Sequence, residues 1–482
     1  MLAAACVLSA ADRWNYTASG DVKWMRVTWA GNFVYGTDGG IYSLDPVTGK
    51  QAWAREDLKK IQEFNIEEVA GSPLLFVSEN SGAIKTKARL LALDLWSGET
   101  VWESEQLKGL IVDLVSSYAK NMVMMVTIPQ NSAKSKLDIT AFHMPTGKML
   151  WEADIEDKAD LFVAEKSSRF FPKMDLSGHA APTVTDSAVY FVYAGVHKFD
   201  VATGKLLWKA AYDVTEAGYR RANASPVVDG GQVYTSAKGQ IRAFDDSNGA
   251  LKWTSKDFGA AVAEMALLNN VLYGRMGGAF YQLNAKQYEL KKPLGVVALD
   301  TGNGQIKWRY EGAKDAITNM AVIKDANVVM VADAKTLIGL SMDASGNKVK
   351  EEFKVPLEFK FKTGAAGKAM KIGFGALRGG AIGAIKGAKG GPGEAPLVVV
   401  ERPNGLLVVR SAQHLLAFDP KKREISWGTQ VEPPGASMLV KIATSAAFAM
   451  LYAAETSRAL STHRGTMEND WANANRVKIM DN

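Results

Sequence analysis

The chain has 482 residues, 47% of them hydrophobic and 22% charged, with a formal net charge of +6. These values describe an ordinary globular protein and exclude a disordered, collagenous or strongly basic nucleic-acid-binding chain. One cysteine, Cys6, excludes an internal disulfide and any Cys-based metal or haem site.

Residues 1–11, MLAAACVLSAA, look like the end of a secretory signal. The residues ahead of Cys6 resemble a bacterial lipoprotein box, and Ser9-Ala10-Ala11 offers an ordinary small-residue cleavage site instead. Export to the periplasm or outer membrane is expected, with Cys6 as the lipidation site in the first alternative. Ala3 stands where the lipoprotein pattern prefers Leu, and no basic stretch precedes the run. Met1 is therefore not expected to be the true start. No later run is long and apolar enough to span a bilayer as a helix.

From Leu44 a ten-residue pattern recurs about once every fifty residues. Its copies are LDPVTGKQAW (44–53), LDLWSGETVW (93–102), FHMPTGKMLW (142–151), FDVATGKLLW (199–208), FDDSNGALKW (244–253), LDTGNGQIKW (299–308) and FDPKKREISW (418–427). Seven of twelve tryptophans fall in this one slot: Trp53, Trp102, Trp151, Trp208, Trp253, Trp308 and Trp427. The Asp near the start (Asp45, Asp94, Asp200, Asp245, Asp300, Asp419) can bond turn amides through its side chain. Four residues on stands Gly49, Gly98, Gly147, Gly204, Gly249 or Gly304, which suits a left-handed turn position that penalises a Cβ. The indole then falls on the following strand, where it can cover the gap between neighbouring units. The set is expected to hold units together, and not to be catalytic.

Upstream of each turn lie further β-branched or aromatic runs. In the fifth unit these are 224–228, 232–237 and 239–245, followed by 251–256. Four antiparallel strands per unit, each unit closing on the next, predict a β-propeller. The repeat overrides the length prior, so residues 12–435 are expected to form one domain.

Along that domain, MRVTWA (25–30) is the first inner strand, and the chain around Trp14 is expected to pair with the last blade. Polar insertions at 79–89 and 129–136 predict solvent loops in blades two and three. His143 replaces the turn Asp in blade three as a benign substitution. Before blade four, 170–172 (Phe-Phe-Pro) makes an apolar spot and His179 heads the next strand. Blade six is stretched by 276–293, where Tyr281 and Tyr288 are expected to pack over the blade's edge. Blade seven keeps the strand pattern without the Asp and Trp; aligning Gly346 with the turn glycines puts Lys350 in the Trp slot. Blade eight returns to the pattern with Arg423 in place of Gly. Eight blades are expected, or seven if the degenerate unit is not one.

Residues 364–393 break the composition, with five lysines or arginines, no acid and an apolar 3.6-residue spacing from Met370 to Ile385. Their seven glycines from 367 to 387 favour a flexible insertion; contact with an anionic membrane surface or a partner is the alternative. The Ala- and Met-rich extension 436–482 is expected to be a capping helix or further strands, and it has no evident terminator.

The Asp-x-x-x-Gly-x-x-x-Trp turns over about residues 25–430 resemble the pyrroloquinoline-quinone-type β-propeller repeat, of the quinoprotein dehydrogenase-like superfamily. One branch, the alcohol and glucose dehydrogenases, binds the quinone with Ca²⁺. The other is non-catalytic and includes outer-membrane assembly lipoproteins that bind other proteins. This sequence departs from the first branch: it lacks a vicinal cysteine pair, a C-x-x-C-H haem site and a placeable Ca²⁺ set. The resemblance thus implies a monomeric, non-enzymatic envelope scaffold with no cofactor and with other envelope proteins as partners. A pyrroloquinoline-quinone- and Ca²⁺-dependent dehydrogenase is the alternative.

Overall fold

In the computed structural model the described residues are 16–430, apart from 21, 62–64, 70, 82–86, 129–134, 158–179, 193–194, 212–223, 283–286, 315, 345–348, 350, 358–397, 402–404 and 412–413. Cys6, Trp14, the 170–172 spot, His179, the 364–393 insertion and the 436–482 extension lie outside them. The fold is all-β: eight four-stranded antiparallel sheets, each with its strands in chain order, are the blades of a propeller-type repeat. Among the described residues no helix is long and apolar enough to cross a membrane.

The chain falls into two compact units. Unit one, drawn from residues 1–156 and 201–204, holds three blades. Blade one is Trp24–Val27, Phe33–Thr37, Gly40–Leu44 and Gln51–Arg55. Blade two is Ile66–Glu68, Leu74–Ser81, Lys87–Asp94 and Thr100–Glu103, with a short fifth strand, Leu107–Lys108, on Lys87–Asp94. Blade three is Leu110–Ser117, Met122–Ile128, Ser135–His143 and Met149–Asp157.

Unit two holds the other five blades. Blade four is Ala180–Val184, Ala188–Val192, Gly195–Asp200 and Leu206–Ala211, and blade five is Val227–Asp229, Gln232–Ala237, Gln240–Asp245 and Leu251–Thr254. Blade six is Val262–Leu268, Val271–Gln282, Gln287–Asp300 and Ile306–Tyr310. Blade seven is Ala321–Ile323, Val328–Ala332, Thr336–Ser341 and Glu351–Pro356; blade eight is Val398–Glu401, Leu407–Arg410, His414–Asp419 and Glu424–Gln430. The degenerate seventh unit is thus a blade, and the seven-blade alternative falls.

Burial explains the strand chemistry. The second and third strands are covered on both faces: every residue of Gly40–Leu44, Ala188–Val192 and Val328–Ala332 is buried. Such strands read as continuous apolar runs instead of alternating ones. The fourth strand is the edge, and in Gln51–Arg55 or Leu206–Ala211 only the tryptophan is buried. The core lies in layers between successive sheets. Trp53 of blade one packs with Leu75, Leu91 and Leu93 of blade two, and Val331 of blade seven with Trp308 and Tyr310 of blade six.

One insertion differs from expectation. Residues 79–89 are largely strand: pairing continues from Leu74↔Asp94 out to Ser81↔Lys87. Arg89 bridges Glu79 and Glu103 there, and the fifth strand pairs Ala88 with Leu107. The 276–293 insertion likewise extends a hairpin, with Tyr281 opposite Tyr288 in register. Polar residues on a hairpin arm carry no clear period-2 signal, so sequence pattern reads 79–89 as loop.

Candidate functional site

The recurring residues form a seam between successive blades. Trp53 donates its indole N–H to Leu95 O at 3.0 Å, Trp102 to Met144 O at 2.8 Å and Trp151 to Val201 O at 3.0 Å. Trp208 does the same to Asp246 O at 2.8 Å and Trp253 to Thr301 O at 2.9 Å. In each case the acceptor follows the Asp-slot residue of the next unit's turn. Trp308 is fully buried, yet its indole N–H has no partner among the described residues.

The turn geometry explains the Asp and the Gly. Asp45 accepts from the amides of Val47 and Thr48 at 3.0 and 2.7 Å, and Asp94, Asp245, Asp300 and Asp419 each accept at least one amide of their own turns. The Ser247 hydroxyl and amide hold the Asp245 carboxyl down at about 2. In blade three His143 Nδ1 lies 2.8 Å from Thr146 Oγ1, so the substituted turn keeps a side-chain bond. Asp200 heads the same kind of turn, its amide bonded to Lys205 O at 2.8 Å.

All six turn glycines have φ between 66° and 74°. Sequence reasoning captured that and missed a second constraint. A Cβ on Gly98 would lie 2.6 Å from the Trp53 ring of the preceding blade. On Gly147 it would meet Trp102 at 2.5 Å, on Gly204 Trp151 at 2.4 Å, on Gly249 Trp208 at 2.6 Å and on Gly304 Trp253 at 2.4 Å. Each glycine is a bare patch of backbone on which the preceding indole lies flat.

Where one partner is lost, so is the other. Strand register pairs Gly339 with Phe353, as Ala298 pairs with Trp308, so Phe353 and not Lys350 occupies the Trp slot of blade seven. The blade-eight turn then carries Arg423 at φ 60°, with its guanidinium 5.2 Å from the Phe353 ring centroid and its side chain 3.5 Å from Glu352. Trp427, the last of the slot, differs from the other six: it is 46% exposed.

A second seam runs along the first and second strands and the loops that lead into them. Ser116 donates to Glu67 at 2.6 Å, Thr183 to Pro226 O at 2.6 Å and Ser236 to Val262 O at 2.8 Å. Glu264 accepts the Met320 amide on both oxygens, at 3.1 and 3.0 Å, and Arg275 Nε at 2.8 Å. Burial pushes the Glu264 carboxyl up to about 7, against the pull of Arg275. Asn319 binds Val399 through both its amide groups, at 2.7 and 2.9 Å. Paired polar stitches of this seam therefore sit at blades six to eight, where the indole bonds of Trp308 and of the blade-seven slot are missing among the described residues.

Blades four and five share one further buried cluster. Lys198 donates to Asp246 Oδ1 and to Asp246 O, both at 2.8 Å, and Tyr190 donates to the same carboxylate at 2.6 Å. The position opposite the Trp slot is Ser43, Ala92, Ala243, Ala298, Gly339 or Ala417 elsewhere. A lysine among small residues was the signal available in the sequence. Among the described residues no three His, Cys, Asp or Glu side chains gather to hold a metal ion.

Comparisons with known proteins agree with the repeat. The chain is similar in fold to the crystal structure of BamB from Moraxella catarrhalis, at 16% identity and a TM-score of 0.45, over 83% of this chain and 93% of that one. It also resembles a computationally designed protein, Ika8, at 14% identity and a TM-score of 0.47, over 82% and 94% of the two chains. Hsv2p of Kluyveromyces lactis matches at 9% identity and a TM-score of 0.40, over 70% and 99%. No curated protein matches. A family model described as outer membrane protein assembly factor BamB covers residues 5–117 and 135–351, more than half of the chain, and to that family the chain belongs.

Proposed function

We propose that the chain is a non-enzymatic scaffold of the bacterial envelope, acting in outer-membrane protein assembly by binding other envelope proteins along the open edges of its blades. The observation that carries this reading is the outermost strand of each blade. Among the described residues it has a strand neighbour on one side only, and it exposes apolar side chains (Val101, Met149, Leu150, Leu206, Leu207, Leu251 and Ile425) beside charged ones such as Glu103, Glu152, Lys209 and Lys252. An open strand edge can accept an added strand, whose backbone bonds give affinity and whose alternate side chains give selectivity.

The Trp, Asp and Gly residues of the seam are proposed as structural: they join units and leave the edges free for partners. Photo-crosslinking groups at Leu150 and Leu207 test the edge reading. Crosslinks to envelope proteins from both positions are expected, and none from Lys256, which is exposed but lies beyond the edge strand. Equal yields from all three would refute it.

A further inference from the structure

Within unit two the joint between blades seven and eight is built unlike its neighbours. The tryptophans of blades four and five each reach the next turn with an indole N–H and lie flat on its glycine. Phe353 keeps a ring contact in that place, 5.6 Å between centroids from Phe418, but it has no N–H to donate. Arg423, at φ 60°, has a Cβ where Gly249 and Gly304 have none. Charge takes the place of both. The Arg423 guanidinium stands over the Phe353 ring and 3.5 Å from the Glu352 carboxylate, and Lys421 Nζ lies 3.1 Å from Asp325 Oδ2.

These charged contacts are open to water. The Arg423 side chain is 50% exposed, and those of Lys421 and Asp325 are 61% and 74% exposed. Pairs so placed are screened by salt, because the screening length falls from about 10 Å at 0.1 M to about 3 Å at 1 M. The ion pair between blades four and five differs: the Lys198 side chain is 10% exposed, and its carboxylate partner accepts from Tyr190 as well. Blade eight is also fastened at its first strand, but there by neutral bonds, since Asn319 makes two with the Val399 backbone, at 2.7 and 2.9 Å. Salt leaves those in place. Between the two fastenings lies an apolar layer in which Met330, Leu337, Val399, Val409 and Phe418 are fully buried.

We propose that blade eight is hinged and held by a charged latch. It swings open about the Asn319–Val399 bonds when salt weakens the Arg423 and Lys421 contacts, and so uncovers the apolar layer against blade seven. Two exposed ion pairs and one cation–π contact together account for about a threefold to tenfold change in the open fraction. The joints from blade four to five and from five to six, fastened by indole bonds, do not share the response. The inference uses no edge strand and no protein partner, so it stands or falls apart from the scaffold reading.

The test is the rate at which N-ethylmaleimide labels a buried cysteine in the full chain carrying Cys6→Ser, at about 0.05 M and about 1 M NaCl. Leu416→Cys reports the third strand of blade eight, Val399→Cys the hinge, and Val297→Cys the layer between blades five and six; all three side chains are buried. Labelling at 416 should quicken about threefold to tenfold in high salt, with less change at 399 and none at 297. In F353W/R423G, where an indole bond replaces the latch, the response at 416 should vanish, and K421Q should reduce it. No salt response at 416, an equal one at 297, or one that survives both sets of substitutions would overturn the latch. Equal quickening at 399 and 416 would overturn the hinge, since the blade would then leave as a whole.

Discussion

Gly147→Ala isolates the packing of an indole on the backbone of the next blade. The substitution has two parts. An L-residue at φ 69° costs about 1–2 kcal/mol whatever surrounds it. The new methyl would also sit 2.5 Å from Trp102 Cε3, well inside contact, and the ring has little room to retreat. Trp102 is fixed by its bond to Met144 O at 2.8 Å and packs between Phe76 and Phe142, at 5.8 and 6.3 Å between ring centroids. Displacing a ring so held adds about 1–3 kcal/mol, for a total of about 2–5 kcal/mol. Gly231→Ala supplies the control, since it has φ 71° and nothing within 4 Å of the added Cβ, and should cost the backbone part alone. Chemical denaturation of the two variants measures the difference. In a Trp102→Ala background the Gly147→Ala change should shrink to the control value, a coupling of about 2 kcal/mol in a double-mutant cycle. Equal costs for the two glycines, or strict additivity with Trp102→Ala, would refute the argument.

The reverse experiment lies at blades seven and eight: Phe353→Trp alone should destabilise, because Arg423 has a Cβ where the other turns have none, and F353W/R423G should recover at least the parent's stability in thermal melts. His197 is buried and has its pKa pushed down from 6.5 to about 4 by desolvation, with Lys209 adding to the shift. Its contribution is complete above pH 6.5 and is lost as pH falls from 6.5 to 4, because the unfolded chain takes the proton first; about 3 kcal/mol is at stake. The stability difference between the parent and His197→Gln should follow that window, and a difference flat in pH would exclude the assignment. Asp246→Ala should cost about 3 kcal/mol by leaving Lys198 buried without its carboxylate, while Lys198→Met with Asp246→Asn should restore most of it in denaturant titrations. Adding pyrroloquinoline quinone with Ca²⁺ should give neither saturable fluorescence quenching nor dye-linked alcohol oxidation; either would establish the dehydrogenase alternative.

Much of the fold was legible because the information is local. A ten-residue turn with Asp, Gly and Trp at constant offsets reveals seven of the eight hairpins, since side-chain bonding and left-handed φ act within the turn itself. Apolar runs four to seven residues long mark the buried strands for the same reason. The slot of blade seven was misplaced because its turn is longer than the rest, and only cross-strand register shows that Phe353 occupies it.

What the amino-acid order determines by itself is therefore the repeating unit: strand, turn, glycine and indole. Which glycine lies under which indole was decided by tertiary structure, as were the cluster of Lys198 with Asp246 and the Asn319 bridge. The physical reason is range. Backbone preference is written into neighbours, whereas the match of Trp102 to Gly147, or of Asn319 to Val399 eighty residues on, arises only when sheets from distant stretches pack face to face.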